Sequence, residues 1–293
     1  MAHMGDVLAG IHSTWEFDSD SVLIRFERGI RTPKLFHVLG ERRVPYEALS
    51  GVELTPGGKR GAVALRATPR PGADPLVEAA AGQLKEGNDP YRLVIPAERE
   101  ALADYYATEL RSVLCADADK PAERYMVSAP SAPQSFKAYD GKASFDGSVV
   151  TFRWFWTGAS SAKWKAGDQF FPVGELEEVE WRSPEVFNGH LRLRPRGVEP
   201  PGEADQDPAS VVFGLGYGPV YESLPFAASV LEAVRAAEPV TRPHAAVAPP
   251  PRKQRSDPAD VAERIRHLGE LHEAGLLTDD EFTAKKAELL AEL

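Results

Sequence analysis

The chain has 293 residues, a formal net charge of −10 and a sequence pI of about 5.3. This acidic balance argues against a nucleic-acid-binding protein and against attraction of the whole chain to an anionic membrane. A single cysteine, Cys115, excludes an intrachain disulfide, and no run reaches the roughly 20 apolar residues that a membrane-spanning helix needs. We therefore expect a cytoplasmic protein.

The N-terminal part of the chain predicts a short tail followed by a domain of strands. Residues 1–10 lack a basic segment with a long apolar run after it, so we expect a tail, partly a cloning scar, and no signal peptide. Over residues 11–116, apolar side chains alternate in short segments such as Val22 and Ile24, which is typical of strands with one buried face. This domain ends in a segment with helical spacing. Its apolar positions are Leu102, Tyr105, Tyr106, Leu110 and Val113.

The middle of the chain repeats the first domain. Residues 42–54 align without gaps on residues 169–181 at a constant offset of 127. The second copy occupies residues 135–237, after a linker at residues 117–134, and it too ends in a helical segment, at residues 221–236. The alignment indicates an internal duplication.

A run of antiparallel strands closed by one helix is an α+β pattern. For about 100 residues, it predicts a curved antiparallel sheet or a partly open barrel with a C-terminal helix. Each copy therefore resembles the pleckstrin-homology-like fold, and the chain resembles a tandem of two such domains. This likeness is one of architecture and implies no function by itself.

The C-terminal part of the chain predicts a tether and a helical hairpin. Residues 238–257 are rich in Pro and Ala without an apolar period, so we expect a disordered linker. Residues 258–293 show the pattern of two helices joined by a tight turn. Gly275 suits the end of the first helix, and Thr278 with Glu281 forms a capping box that opens the second.

Apolar side chains at three-to-four spacing follow one face of each helix of this hairpin. They are the residues that we expect to contact a partner protein: Val261, Ile265, Leu268, Leu271, Leu276, Leu277, Phe282, Leu289 and Leu290.

The hairpin resembles a known bacterial module. Its core sequence AGLLTDDEF, residues 274–282, together with Lys285 and Lys286, is similar to SHOCT, the short C-terminal domain of many bacterial proteins. The two upstream copies resemble the uncharacterised domain that accompanies SHOCT in actinobacterial proteins. This resemblance implies no known reaction, and it implies that the hairpin mediates oligomerisation or partner binding.

Physical reasoning favours the same role. A segment of fewer than about 40 residues usually needs outside help to fold. The hairpin has no cysteine, and His267 and His272 are five positions apart, so they do not share a helical face for a metal. Residues 256–293 hold ten acidic and four basic side chains, which disfavours anionic lipid. The expected partner is therefore a protein, either a second copy of the chain or an unidentified one, although docking on the chain's own repeats stays open.

The sequence shows no convincing catalytic, cofactor-binding or metal-binding residue. It lacks the P-loop, zincin and nucleophile-elbow motifs, and the glycine-rich stretch at residues 213–219 departs from the dinucleotide fingerprint. Asp18 and Asp146 recur at equivalent places in the two copies, which favours a structural turn over catalysis. We expect a protein that is not an enzyme.

Aromatic residues distinguish the second copy from the first. It holds four of the five tryptophans, and alternation places Trp154 and Trp156 on one face of a strand and Phe155 on the other. Both faces thus carry aromatic bulk, which predicts a contact patch formed by Trp154, Phe155, Trp156 and Trp164. Burial against copy one or the hairpin is the alternative, and a membrane surface is a second possible partner.

Overall fold

The computed structural model of the chain describes residues 6–57, 61–199 and 202–237, together with Thr283 and Lys286. The chain divides into two compact units, Met1–Pro239 and Val240–Leu293. The predicted linker at residues 238–257 and the predicted contact residues of the hairpin lie outside the described residues. Thr283 and Lys286 are both helical, in agreement with the helix predicted there.

The first repeat contains two antiparallel sheets and a final helix. Its elements are β1 (Asp6–Ala9), β2 (Ser13–Phe17), β3 (Ser21–Phe26), α1 (Lys34–Leu39), β4 (Glu41–Pro45), β5 (Leu49–Pro56), β6 (Val63–Pro69), α2 (Pro75–Ala80), β7 (Arg92–Ile95) and α3 (Glu100–Ser112). Strands β1 to β4 pair in chain order in one sheet, and β5 to β7 in the other. Strand β1 lies within the predicted tail, so this repeat begins earlier than expected. Only Leu8 of β1 is buried, which leaves too weak a pattern to predict a strand.

The second repeat has the same order of strands. Its elements are β8 (Gln134–Lys137), β9 (Gly141–Phe145), β10 (Val149–Trp154), α4 (Ser161–Ala166), β11 (Gln169–Pro172), β12 (Leu176–Arg182), β13 (His190–Pro195), β14 (Ser210–Val212) and α5 (Val220–Ala237). Strands β8 to β11 form a four-stranded sheet and β12 to β14 a three-stranded one.

Strand register confirms the duplication. An offset of 128 places the β2–β3 pairing of Phe17 with Val22 on the β9–β10 pairing of Phe145 with Val150. The irregularity between Leu49 and Gly51 of β5 recurs between Leu176 and Glu178 of β12. The predicted fold class, α+β with two tandem repeats, is confirmed.

The final helix of repeat one buries two of its five predicted apolar positions, Tyr106 and Leu110, and leaves the other three exposed. Its buried side chains are Ala103, Tyr106, Ala107 and Leu110, whereas Leu102, Tyr105 and Val113 are each more than 40% exposed. The ring of Tyr106 stacks on Phe17 with centroids 4.4 Å apart. Two alanines belong to the core face because they let α3 approach the sheet closely.

The two repeats share a core. Helix α5 of repeat two packs against α1 and α2 of repeat one as well as against its own strand β12. Four buried side chains of repeat one therefore join the core of repeat two: Leu35, Leu76, Ala79 and Ala80. The side chain of Gln83 adds two hydrogen bonds, donating to the Trp181 carbonyl at 3.0 Å and accepting from the Ser183 amide at 2.9 Å. The tandem is thus one body.

The segment between the repeats takes part in this packing. Val127 is 2% exposed, and its amide donates to the Ala73 carbonyl at 3.1 Å. The Ala129 amide donates to the Glu232 carboxylate at 3.2 Å. The predicted linker at residues 117–134 therefore includes positions that pack against both repeats. Across the described parts of the chain, no helix is long and apolar enough to cross a membrane.

Candidate interaction surface

A buried cluster in repeat one joins three elements. Arg42 donates to both carboxylate oxygens of Asp74, at 2.8 and 2.7 Å, and the Tyr91 hydroxyl donates to the same carboxylate. Asp74 also caps α2 by accepting from the Leu76 amide at 2.8 Å. Burial raises the pKa of Tyr91 well above its ordinary value, so the phenol stays a neutral donor. Solvent does not reach this cluster, which ties β4 to the N-terminus of α2 and to Tyr91, the residue before β7.

A second buried cluster occurs in repeat two. The Lys163 ammonium lies 2.5 Å from one oxygen of Asp140, and the other oxygen accepts from the Val212 amide at 3.0 Å. Both side chains are at most 1% exposed, and the ammonium lies 5.1 Å from the centre of the Trp154 ring. Burial raises the pKa of Asp140 and lowers that of Lys163, while their mutual attraction opposes both shifts. The pair fixes α4 to the β8–β9 turn and to β14.

Neither cluster is open to a substrate. Within the described ranges, no group of three or more His, Cys, Asp or Glu side chains is arranged to hold a metal ion. Asp146 has the turn role that its recurrence predicts, because one carboxylate oxygen accepts from the Ser148 amide at 2.7 Å and the Val149 amide at 2.8 Å.

The predicted aromatic patch divides into buried and exposed members. Trp154 is 3% exposed, and its indole donates to the Gly167 carbonyl at 2.8 Å, so it belongs to the core and not to a surface. Trp156 is 42% exposed and meets Trp164 edge-on, with ring centroids 5.0 Å apart. Phe155 is half-buried. The strand ends at Trp154, so the alternation used for the prediction does not extend to Trp156.

A row of cations crosses the outer face of the four-stranded sheet in repeat two. Strand pairing sets Lys137 of β8 opposite Lys142 of β9, and Lys142 opposite Arg153 of β10. The alternate positions, including Phe136 and Phe152, face the core. A carboxylate lies at the end of this row, since the Arg153 guanidinium is 3.7 Å from Asp168.

Aromatic side chains lie at both margins of this row. On one side Phe170 of β11 is 57% exposed and pairs with Thr151 of β10. On the other side, beyond the end of β10, lie Trp156 and Trp164. We call the surface formed by these residues the basic face: Lys137, Lys142, Thr151, Arg153, Trp156, Trp164 and Phe170.

Sequence reasoning missed the cations of the basic face. Lys137, Lys142 and Arg153 are scattered over 17 positions of the sequence, and only the strand register places them side by side. Alternation within each strand could have assigned each cation to the outer face, but it could not have shown that they are neighbours.

Comparison with known families agrees with this architecture. The sequence matches the domain of unknown function DUF4429 twice, over residues 15–111 and 143–231. The chain belongs to the DUF4429 family. Residues 263–290 match SHOCT, the short C-terminal domain, so the layout is two DUF4429 repeats followed by SHOCT. No curated protein matches the chain.

Proposed function

We propose that this DUF4429 protein is a non-enzymatic interaction protein that assembles with itself through its SHOCT segment. The two repeats serve as a rigid body, and SHOCT supplies the contact between copies. The observation that carries the proposal is the shared core of the tandem, in which helix α5 of repeat two packs on α1 and α2 of repeat one.

A shared core favours a scaffold because it fixes the surfaces of both repeats relative to each other. Interfaces between independent domains are typically polar and permit relative motion. Here Leu76 is fully buried at the junction, and Arg235 reaches across it, lying 3.4 Å from Glu78 and 4.3 Å from the Tyr125 ring centre. The body can therefore present a fixed surface to a partner.

The length and pattern of the SHOCT segment support its role in assembly. The matched segment is shorter than a chain that usually folds alone, and its sequence predicts two apolar stripes that need cover. A second copy of the chain can supply that cover. The ionisable clusters support a non-enzymatic role, since Arg42, Asp74, Asp140 and Lys163 all hold the fold together from inside.

Substitution of the predicted stripe tests this proposal. In the full chain, Phe282→Glu with Leu289→Glu places charge in the interface, and we expect sedimentation velocity to show loss of the assembled species. The control, Phe282→Leu with Leu289→Met, keeps both positions apolar and should leave the sedimentation coefficient unchanged. An unchanged sedimentation coefficient for the stripe variant would overturn the assembly role.

A second candidate function is peripheral membrane binding by repeat two. Beyond Trp156, the side chains of Leu215 and Phe187 are 103% and 85% exposed. Their loops are joined at the base, where the Phe213 amide donates to the Gly189 carbonyl at 2.9 Å. Exposed apolar side chains on neighbouring loops suit insertion into a bilayer interface. Trp154 cannot take part because it is buried.

Vesicle flotation tests this second candidate. We expect the Leu215→Ser, Phe187→Ser variant to lose binding to neutral vesicles, whereas Ile30→Ser, which removes an equally exposed side chain from repeat one, keeps it. If the unchanged protein floats with neither neutral nor anionic vesicles, membrane binding is wrong.

A further inference from the structure

We infer that a cavity between the two repeats is the docking site for the SHOCT segment of a second copy of the chain. The inference rests on the proposed function, and it names the surface that SHOCT contacts. It commits to a reciprocal exchange, in which each copy places its SHOCT segment against the cavity of the other.

Both repeats line this cavity, which has a volume of about 330 Å³. Repeat one contributes Lys34 and Leu35 at the start of α1. Repeat two contributes the loop between β12 and β13 and the glycine-rich stretch at residues 213–219. The strongly exposed side chains of Phe187 and Leu215 belong to these two loops. Exposed apolar side chains in neighbouring loops beside a cavity indicate a contact surface.

The segment of repeat one beside the cavity is basic. Arg28, Arg31 and Lys34 are exposed, and none of them forms an ion pair with another described residue. The Lys34 ammonium lies 4.9 Å from the centre of the Tyr221 ring, which also lines the cavity. Arg31 is three residues from Lys34, so their Cα atoms are at most about 11 Å apart. Both cations are therefore near the cavity.

Carboxylates of the lining loop and of the adjoining turn have cations of their own. They form three ion pairs: Glu185 with Lys85, Glu86 with Arg92, and Asp89 with Arg66. The basic segment itself holds one carboxylate, Glu27, against three cations. This side of the cavity is therefore positive in a chain whose net charge is −10, which favours an acidic partner.

The SHOCT segment carries the complementary groups. Residues 256–293 hold ten acidic against four basic side chains, and three of the carboxylates, at residues 279–281, directly precede Phe282 of the predicted stripe. Opposite charge fixes the orientation of two surfaces and speeds their encounter. We expect the Phe282 ring to enter the cavity while the carboxylates face Arg31 and Lys34.

Comparison of the repeats shows that the fold does not require these cations. An offset of 128 places residues 27–33 on residues 155–161, where the sequence FWTGASS has no charged side chain. Arg28 and Arg31 thereby correspond to Trp156 and Ala159. The basic segment occurs in the copy that contributes Lys34 to the cavity, as a binding role predicts.

A second copy completes this arrangement because one chain carries both halves of the contact. Reciprocal exchange gives two identical contacts related by a two-fold axis, so the assembly closes. The expected product is a dimer and not an open filament.

Charge reversal beside the cavity is the test. In the full chain, Arg31→Glu with Lys34→Glu should raise the dissociation constant of the dimer at least about tenfold, because attractions become repulsions. Arg31→Gln with Lys34→Gln should give a smaller effect in the same direction, and it keeps the test valid if the reversal impairs folding. Sedimentation velocity over a range of concentrations measures both effects.

The control, Arg124→Glu with Arg196→Glu, makes the same charge change at two exposed sites and should leave dimerisation unchanged. Both sites are remote from the cavity. Arg196 follows β13 at the end opposite to the β12–β13 loop. Arg124 is next to Tyr125, which Arg235 contacts near the end of α5. That helix has 18 residues, about 27 Å of length, and its first turn lines the cavity.

A mixing experiment decides which surfaces meet. The charge-reversed chain keeps an intact SHOCT segment, and a chain ending at Pro251 keeps an intact cavity. At a concentration where each alone is monomeric, the mixture should form a one-to-one complex by light scattering.

Three results would overturn the inference. The first is a charge-reversed chain that dimerises as well as the original, which would mean that SHOCT contacts another surface and would leave the proposed function standing. The second is a mixture that forms no complex. The third is a full chain that is monomeric at every concentration, which would overturn the proposed self-association as well and leave a bilayer as the occupant that vesicle flotation tests.

Discussion

The two repeats fill one equivalent core position with different side chains. In repeat one, Phe36 of α1 stacks on Phe26 at the end of β3, with ring centroids 4.5 Å apart. In repeat two the equivalent residues are Lys163 of α4 and Trp154 of β10, and Asp140 neutralises the lysine. The strands follow in the same order in both repeats. At this core position, however, repeat one has stacked aromatic rings and repeat two has a buried ion pair beside an indole ring.

A larger difference lies between the last two strands of each repeat. The connection from β6 to β7 in repeat one carries helix α2, whereas the connection from β13 to β14 in repeat two carries no helix among its described residues. Helix α2 covers part of repeat two, so repeat one supports its neighbour. The sheet of repeat two carries the cations instead. The difference shows how one copy of a duplicated domain can become a support for the other.

The largest expected effect comes from breaking the buried pair of repeat two. Asp140→Ala leaves the Lys163 ammonium buried without its anion, and we expect the free energy of unfolding to fall by about 3–5 kcal/mol. Adding Lys163→Met should restore most of the loss, because a buried charge no longer remains. Urea denaturation of the two variants measures both values. A single variant as stable as the original would contradict the role given to this pair.

Truncation at the junction between repeats should cost somewhat less. Leu76 is fully buried in the core that helix α2 shares with repeat two. Leu76→Ala should lower the free energy of unfolding by about 2–5 kcal/mol through lost burial and a residual cavity. Leu102→Ala on α3, where the side chain is 41% exposed, is the matched control and should change little. Equal effects from the two substitutions in urea denaturation would mean that the repeats do not depend on this contact.

Removing the Gln83 side chain should have a smaller effect. Gln83→Ala deletes two hydrogen bonds to repeat two, and we expect a loss of about 1–2 kcal/mol because the Trp181 carbonyl and Ser183 amide are left without these partners. Gln206→Ala, which removes an exposed amide, is the control. Thermal unfolding of the two variants measures the difference in stability. Equal melting temperatures for Gln83→Ala and Gln206→Ala would contradict the prediction.

The smallest expected effect is a dependence of stability on acid. Burial alone raises the pKa of Asp146, but hydrogen bonds from Val149 and Ser148 outweigh it and lower the pKa below the ordinary value of 3.8. The folded state therefore binds this proton less readily than the unfolded state. The stabilisation is present above about pH 4 and is lost as the pH falls through the lowered pKa.

Asp146→Asn measures this dependence. Between pH 7 and pH 3, the melting temperature of the variant should fall by less than that of the original protein, because one titrating group has been removed. Asp205→Asn, at an exposed site of the same repeat, should follow the original. If the melting temperatures of the original protein and of Asp146→Asn fall equally between pH 7 and pH 3, the lowered pKa assigned to Asp146 is wrong.

Local patterns predicted the fold well because they depend on neighbours along the chain. Alternation located strands such as β3, and the offset between residues 42–54 and 169–181 revealed the duplication before any strand was paired. The same patterns failed where packing between distant residues decides burial. Alternation predicted that Trp154 and Trp156 lie on the same face of a strand. The strand ends at Trp154, however, and of the two residues only Trp156 is exposed.

The surface of repeat two could be predicted only in part for the same reason. The aromatic excess was visible in the sequence and predicted a patch that includes Trp156, which is exposed, and Trp164, which is half-buried. The cations of the basic face become neighbours through strand register, which no single segment encodes. Helix α2 is another such case, because the burial of Leu76 depends on a helix more than 140 positions later in the chain.

The most direct test of the central claim is the solution mass of the full chain beside that of a chain ending at Pro251, by light scattering after gel filtration across a range of concentrations. Self-association through SHOCT predicts a dimer that dissociates on dilution for the full chain and a monomer at every concentration for the shorter one. Equal masses for the two chains at every concentration would contradict it.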